Sequence, residues 1–163
     1  MKHIIIINGC GGVGKDTFVD MCAKYTSVVN YSSVKEIKEI AKYIGWDGSK
    51  EERDRKFLSD LKLLTTEYND FPFNCICKQI DQFLKSSNEL MFIHIRDIPE
   101  IEKVVSEYPF IKTLLILNHR IMPITTNIAD ANVEKYNYDY VIHNDHDLVD
   151  LDEKAKMFLT LLD

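Results

Sequence analysis

Residues 9–17, near the start of the chain, have the types and spacing needed to bind the phosphates of a nucleotide. Gly9 through Lys15 fit the pattern G-x-x-x-x-G-K, in which glycines let successive backbone N–H groups point at phosphate oxygens. A helix that begins here would add the positive end of its dipole, and Lys15 would bring a mobile cation to the β- and γ-phosphates. The candidate nucleotide-binding residues are therefore Gly9, Gly11, Gly12, Val13, Gly14, Lys15, Asp16 and Thr17.

Asp16 departs from the usual form of this loop, which has Ser or Thr after the lysine to bring a hydroxyl to Mg²⁺. We expect its carboxylate to organise Mg²⁺, directly or through water, or to accept a hydrogen bond from the substrate. An aspartate at a helix start is also favourable through the helix dipole and capping alone, so that role stays open. Thr17 would bond the α-phosphate or, alternatively, the backbone of the first helical turn.

Gly9, Gly11 and Gly14 also fit G-x-G-x-x-G, the fingerprint of a dinucleotide site. That site needs an acidic residue about 20 positions further on, at the end of the second strand, to bind the ribose hydroxyls. The predicted second strand, Ser27–Tyr31, runs instead into Ser32-Ser33-Val34-Lys35. We therefore favour a nucleoside triphosphate loop over a dinucleotide site or a structural glycine-rich turn.

The elements that would position this loop alternate between short apolar strands and helices with apolar residues at helical spacing. This alternation predicts an α/β fold, a three-layer α/β/α P-loop NTPase fold with a five-stranded parallel sheet that binds ligands at the carboxyl ends of its strands. The polar stretch 122–133 has weak apolar periodicity, which indicates a mobile loop that closes over a nucleotide. The predicted strands are Ile4–Asn8, Val28–Tyr31, Glu89–Ile95, Thr113–Leu117 and Tyr138–Ile142.

Composition indicates one domain, residues 1–163, of a soluble globular protein. A net charge of −6 argues against a protein that coats nucleic acid, and Ile4–Ile7 is far too short to span a membrane. Without a C-x-x-C pair, Cys10, Cys22, Cys75 and Cys77 indicate reduced thiols. We expect a cytoplasmic protein whose partner is a small molecule rather than nucleic acid or membrane, with its oligomeric state left open.

The segment Gly14-Lys15-Asp16-Thr17 resembles the G-K-D-T loop of deoxynucleoside monophosphate kinases, a branch of the P-loop kinases related to phosphomevalonate kinase. Further similar segments are found along nearly the whole chain. They are Ser33-Val34-Lys35, the charged stretch from Trp46 to Arg55, His94-Ile95-Arg96 with Glu100, and Asp139 through His146.

The resemblance implies transfer of the γ-phosphoryl group of ATP or GTP, with Mg²⁺, to a small phosphorylated acceptor such as a (deoxy)nucleoside monophosphate. It implies acceptor-binding helices at about 32–85 and a short lid at about 119–135. Asn144 would border the nucleotide base. The implied catalytic residues are Lys15, Arg96, Arg120 and Asp16, and the implied substrate-binding residues are Lys35, Arg55 and Arg96.

Two departures from the family pattern keep alternatives open. His94 stands where the family has a strand-end carboxylate, and from His119 to Lys135 the lid offers one arginine, Arg120. The alternatives are a nucleotide-binding module without efficient catalysis, or a kinase for dephospho-coenzyme A or phosphomevalonate. The arginines and Lys35 could also be ordinary surface or ion-paired residues. His143, Asp145, His146 and Asp147 are potential metal ligands, but a strand end and a helix cap explain them more simply.

Overall fold

The computed structural model describes residues 1–121 and 132–162. Five strands are present: β1 His3–Asn8, β2 Val28–Ser32, β3 Leu90–His94, β4 Lys112–Leu117 and β5 Tyr140–His143. Six helices accompany them in the described residues: α1 Lys15–Ala23, α2 Lys35–Ile44, α3 Glu52–Asn69, α4 Phe71–Lys85, α5 Ile98–Glu107 and α6 Leu148–Leu162. A short 3₁₀ helix spans Val133–Lys135.

The five strands form one sheet in the order β2-β3-β1-β4-β5, and every pair with a resolved register is parallel. The predicted fold class is confirmed. The isoleucines of β1 are almost fully buried, as expected for a central strand covered on both faces. Ile7 pairs with His94, and Leu117 pairs with His143, so the carboxyl ends of these strands meet at one edge of the sheet.

An aromatic cluster joins α1 and α6 to the sheet. Phe18 of α1 and Phe158 of α6 have ring centroids 5.6 Å apart, and Phe92 of β3 lies 6.2 Å from Phe18. Edge-to-face pairs of this kind add about 0.5–1.5 kcal/mol beyond the burial of their area. The connection from β1 to β2, which contains α1, and the connection from β3 to β4, which contains α5, cross the sheet in opposite directions. Because such crossovers are right-handed, α1 and α5 lie on opposite faces of the sheet.

The chain divides into two compact units, one made of Met1–Asn30 with Ser86–Asp163 and the other of Tyr31–Lys85. The second unit contains α2, α3 and α4, whose buried residues include Ile37, Ala41, Ile76 and Ile80. The acceptor-binding role expected from the sequence for about residues 32–85 stays a prediction. No helix in the described part of the chain has the length and apolar content that crossing a membrane requires.

The apolar face expected on α3 is only partly covered. Phe57, Leu58 and Leu61 are half-buried, whereas Leu64 and its neighbour Leu63 remain 64% and 59% exposed. The sole fully buried residue among those of α3 is Asp54. Helical periodicity therefore identified the stripe, but α3 uses just one part of it to pack.

Candidate phosphate-binding site

The loop between β1 and α1 has the backbone conformation that its glycines predict. Gly12 and Gly14 have φ angles of +80° and +96°, in the left-handed region that side chains other than glycine rarely adopt. Helix α1 begins directly afterwards, at Lys15, and the Phe18 N–H donates to the Gly14 carbonyl at 2.9 Å. The loop thus lies at the carboxyl edge of the sheet with the N-terminus of α1 behind it, which favours an anionic ligand.

Asn144 supports the loop from the turn after β5. Its side-chain amide donates to the Val13 carbonyl at 2.9 Å, and its backbone N–H donates to Leu117 at 2.7 Å. A methyl group built on Gly14 would lie 2.4 Å from the Asn144 amide nitrogen. The loop and the β5 end are therefore fitted closely together. The role of Asn144 beside a nucleotide base stays a prediction.

Gly14→Ala should destabilise the protein more than Gly48→Ala. Both glycines have positive φ, so both substitutions incur a left-handed strain of about 1–2 kcal/mol. Gly48 has nothing within 4 Å of the added methyl group, whereas Gly14 must displace Asn144 and lose its hydrogen bond, which costs about 0.5–1.5 kcal/mol more. Urea denaturation measures both variants. Equal losses would show that the Asn144 contact contributes nothing.

Asn8 fixes the first residue of the loop from within the core. Its side chain is fully buried; the oxygen accepts from the Gly9 N–H at 2.8 Å, and the amide donates to the Tyr138 hydroxyl at 2.8 Å and the Arg96 carbonyl at 3.3 Å. Burial raises the pKa of Tyr138 to about 12, so its hydroxyl keeps the proton that it donates to the Val133 carbonyl at 2.7 Å. Sequence reasoning missed Asn8 and Tyr138. A polar residue that ends an apolar strand is the signal that could have identified Asn8.

Lys15 lies across the loop it follows. Its ammonium group donates to the carbonyl oxygens of Gly9 and Cys10 at 2.5 and 2.9 Å. A cation held by neutral carbonyl oxygens can turn to phosphate oxygens by a small side-chain rotation. This arrangement fits the triphosphate of a nucleotide.

Asp16 and His94 meet beside Lys15. The His94 Nε2 lies 2.7 Å from the Asn30 side-chain oxygen and 3.6 Å from the Asp16 Oδ1. The Asn30 side-chain amide also donates to the Asp16 Oδ1, at 3.5 Å. Since Asn30 Oδ1 can only accept, His94 Nε2 carries the proton in this contact. The Asp16 side chain is 84% exposed, so a carboxylate oxygen is available for Mg²⁺, which prefers oxygen ligands. Thr17 is half-buried in the first turn of α1.

Burial lowers the pKa of His94 below its usual value; nearby Asp16 opposes the shift, and the positive charges of Lys15 and Arg96 add to it. His94 is therefore neutral at pH 7. Lys15, Asp16 and Arg96 are thus the charged side chains that influence the pKa of His94. Arg96 itself follows β3 at the carboxyl edge of the sheet and is exposed.

The stability of the wild type should fall more steeply below pH 6.5 than that of His94→Asn. Because the folded-state pKa of His94 is below 6.5, the unfolded chain takes up a proton first as the pH falls. The stabilisation is thus complete above pH 6.5 and is lost as the pH falls toward the folded pKa. Urea denaturation of both proteins across this range provides the measurement, since the other histidines contribute equally to each. Parallel profiles would contradict the buried, neutral assignment.

Arg120 follows β4 at the same edge of the sheet. Its guanidinium donates to the His146 carbonyl at 2.7 Å, and its backbone N–H donates to the Asn118 side chain at 3.0 Å. Arg120 is thus tied to the turn between β5 and α6. The predicted lid centre, residues 122–131, lies outside the described residues.

Lys35 and Arg55 belong to the second unit. Lys35 is the first residue of α2, and Arg55 is exposed in the first turns of α3. An open pocket of about 390 Å³ lies in this unit, lined in part by Trp46, Asp54 and Phe57. The Asp54 Oδ2 atom is buried and has no hydrogen-bond partner among the described residues. Lys35 and Arg55 stay candidates for binding the phosphate of the acceptor.

A five-stranded parallel sheet with a G-x-x-x-x-G-K loop after its first strand is the architecture of the P-loop NTPase fold. No family model and no curated protein sequence matches the chain. TT1252 from Thermus thermophilus is structurally similar with a TM-score of 0.58 and 17% identity, over 99% of this chain and 98% of that chain.

Two further similar structures belong to proteins with a named activity or phenotype. A sugar kinase from Janibacter sp. HTCC2649 has a TM-score of 0.58 and 12% identity, over 98% of this chain and 95% of that chain. The tunicamycin resistance protein of Deinococcus radiodurans has a TM-score of 0.52 and 12% identity, over 98% and 96%. At these identities the likeness shows the fold.

Proposed function

We propose that this chain is a P-loop kinase that binds ATP or GTP with Mg²⁺ and transfers the γ-phosphoryl group to a small phosphorylated acceptor. The acceptor that we propose is a (deoxy)nucleoside monophosphate. One observation carries the proposal: the left-handed glycine loop with Lys15 lying across it, at the carboxyl edge of a parallel sheet. A structural neighbour that is named as a sugar kinase supports the same class of reaction.

Phosphoryl transfer requires the phosphates to be held in line and the charge on the equatorial oxygens to be neutralised. The loop N–H groups would cradle the phosphates, and Lys15 would turn from the Gly9 and Cys10 carbonyls to the transferring group. Arg96 and Arg120, which follow β3 and β4, would add planar donors to the same oxygens. Asp16 would hold Mg²⁺, directly or through water, and this ion supplies further charge neutralisation when bound.

The acceptor is proposed from the resemblance of the sequence to nucleoside monophosphate kinases. Lys35 and Arg55 are the cations that we propose for its phosphate, and Arg96 is a further candidate substrate-binding residue. Asn144 is proposed to border the base of the nucleotide donor, next to its contact with Val13.

A coupled ADP-release assay tests the proposal. The panel comprises nucleoside and deoxynucleoside monophosphates, phosphomevalonate and dephospho-coenzyme A, each with ATP and with GTP. We expect turnover with at least one nucleoside monophosphate. Lys15→Ala, prepared identically, reports any contaminating kinase. If no acceptor gives turnover above that control, the chain is not a kinase of this class.

His94 favours a second candidate function, a nucleotide-binding module without efficient catalysis. A neutral imidazole bonded to Asn30 occupies the position at which the kinase family has a carboxylate, so one site for metal or proton transfer is altered. Isothermal titration with Mg-ATP separates the two functions. Binding in the titration, together with no turnover in the assay, would select the module.

A further inference from the structure

We propose that His119, His143 and Asp145 form a binding site for one divalent metal ion of the zinc class. Its ligands are different residues from Asp16 and the phosphate loop, and the proposal does not depend on the kinase function. Each of the three side chains offers one ligand atom, and these atoms all lie within 4.8 Å of one another. Among the described residues, no other group of three or more histidine, cysteine and carboxylate side chains comes this close.

The sheet brings the three residues together. Strands β4 and β5 are parallel neighbours, and Leu117 pairs with His143. The carboxyl ends of the two strands therefore lie side by side. His119 follows β4 by two residues, and Asp145 follows β5 by two residues. The Asp145 carboxylate then reaches back, and its Oδ1 accepts from the His119 backbone N–H at 2.7 Å.

The ligand atoms lie close to the separations that a tetrahedral ion requires, with all of them within 4.8 Å of one another. The Asp145 Oδ2 lies 3.0 Å from the His119 Nδ1 and 3.8 Å from the His143 Nδ1. Bonds of about 2.0–2.1 Å in a tetrahedral site place neighbouring ligand atoms about 3.3 Å apart. The two imidazole rings are stacked, with centroids 5.3 Å apart and planes within 15° of each other, so that both Nδ1 atoms approach the same carboxylate oxygen. Rotation of the exposed imidazole side chains would bring the three ligand atoms to these separations.

The ligand chemistry selects the ion. Two imidazole nitrogens and one carboxylate suit Zn²⁺ and similar transition metals, whereas Mg²⁺ prefers an all-oxygen shell. The backbone hydrogen bond to Oδ1 orients the carboxylate and leaves Oδ2 for the ion, an arrangement typical of metal-ligating carboxylates. Both histidines are at least half exposed, so an ion can enter and water can fill the remaining position.

The experiment uses the full chain without nucleotide, stripped of metal by chelation and kept in excess Mg²⁺. Zn²⁺ is titrated by calorimetry, and Co²⁺ is titrated by visible absorption, which reports tetrahedral nitrogen and oxygen ligation. We expect one ion per chain in both titrations. His119→Ala, His143→Ala and Asp145→Asn should each weaken binding by at least about tenfold.

His146→Ala is the matched control, because it removes a neighbouring imidazole and keeps the three proposed ligands. It should bind Zn²⁺ as the wild type does. Melting curves in the absence of metal check that each variant is folded. If a variant is destabilised, its metal binding is measured by Co²⁺ absorption at low temperature, where it is folded, instead of by calorimetry. The proposal is overturned if the wild type binds no Zn²⁺, if the ligand variants bind as tightly as the wild type, or if His146→Ala weakens binding equally.

Discussion

Replacing Arg96 or Arg120 by alanine should lower kcat by ~10³–10⁵-fold, the range for arginines that stabilise a transferring phosphoryl group. Both residues follow the carboxyl ends of strands at the edge where the phosphate loop lies. The planar guanidinium meets phosphate oxygens through two donors, and its contribution grows as charge develops in the transition state. The dissociation constant for ATP should therefore change only several-fold. Steady-state kinetics and isothermal titration measure the two quantities.

Lysine variants and a distant cation serve as controls for the arginines. Arg96→Lys and Arg120→Lys keep the charge but lose the paired donors, so their kcat should fall between those of the wild type and the alanine variants. Lys112→Ala removes an exposed cation from the amino end of β4 and should leave kcat unchanged. If kcat survives in both alanine variants, the arginines are structural and the non-catalytic module becomes the better proposal.

Lys15→Ala should abolish the rise in melting temperature that ATP produces in the wild type. A ligand at 100 times its Kd stabilises the folded state by about 2.7 kcal/mol, and most of that free energy requires the cation at the β- and γ-phosphates. The empty variant should melt close to the wild type, because Lys15 makes its hydrogen bonds to loop carbonyls rather than to core residues. Thermal denaturation with and without Mg-ATP provides the comparison.

Lys24→Ala is the corresponding control at the far end of α1. It removes a half-exposed lysine that pairs with Asp152 on the surface, and it should keep the full response to ATP. An ATP-induced shift in Lys15→Ala as large as that of the wild type would show that the phosphate-loop assignment is wrong.

Local sequence signals were sufficient to predict the parallel α/β fold and a glycine-rich turn between β1 and α1. The isoleucine run of β1 has no polar interruption, as a strand covered on both faces requires, and the glycine spacing after it permits the left-handed turns at Gly12 and Gly14. The order of the strands has no such local signal. Nothing in β4 or β5 indicates that they are neighbours, so His119 could not be matched with His143 and Asp145.

The supports of the loop were not predicted for the same reason. Asn8 meets Tyr138 and Val13 meets Asn144 across separations of 130 and 131 residues, and a single sequence does not reveal such contacts. On α3, periodicity identified an apolar stripe but could not tell how much of it a neighbouring helix would cover. In the structure, Leu64 of that stripe remains exposed.

The long separation between the loop and its supports has a consequence for how the protein is made. A loop within the first 17 residues is supported in the folded protein by Tyr138 and Asn144, which dock against Asn8 and Val13. Closing a chain of this length costs entropy that local contacts cannot offset, so the docking belongs to the late part of folding. Under the proposed function, a nascent chain on the ribosome would bind nucleotide only after its last strand, β5, has emerged. Under the proposed function, nucleotide would therefore bind completed molecules and stabilise them against partly folded ones.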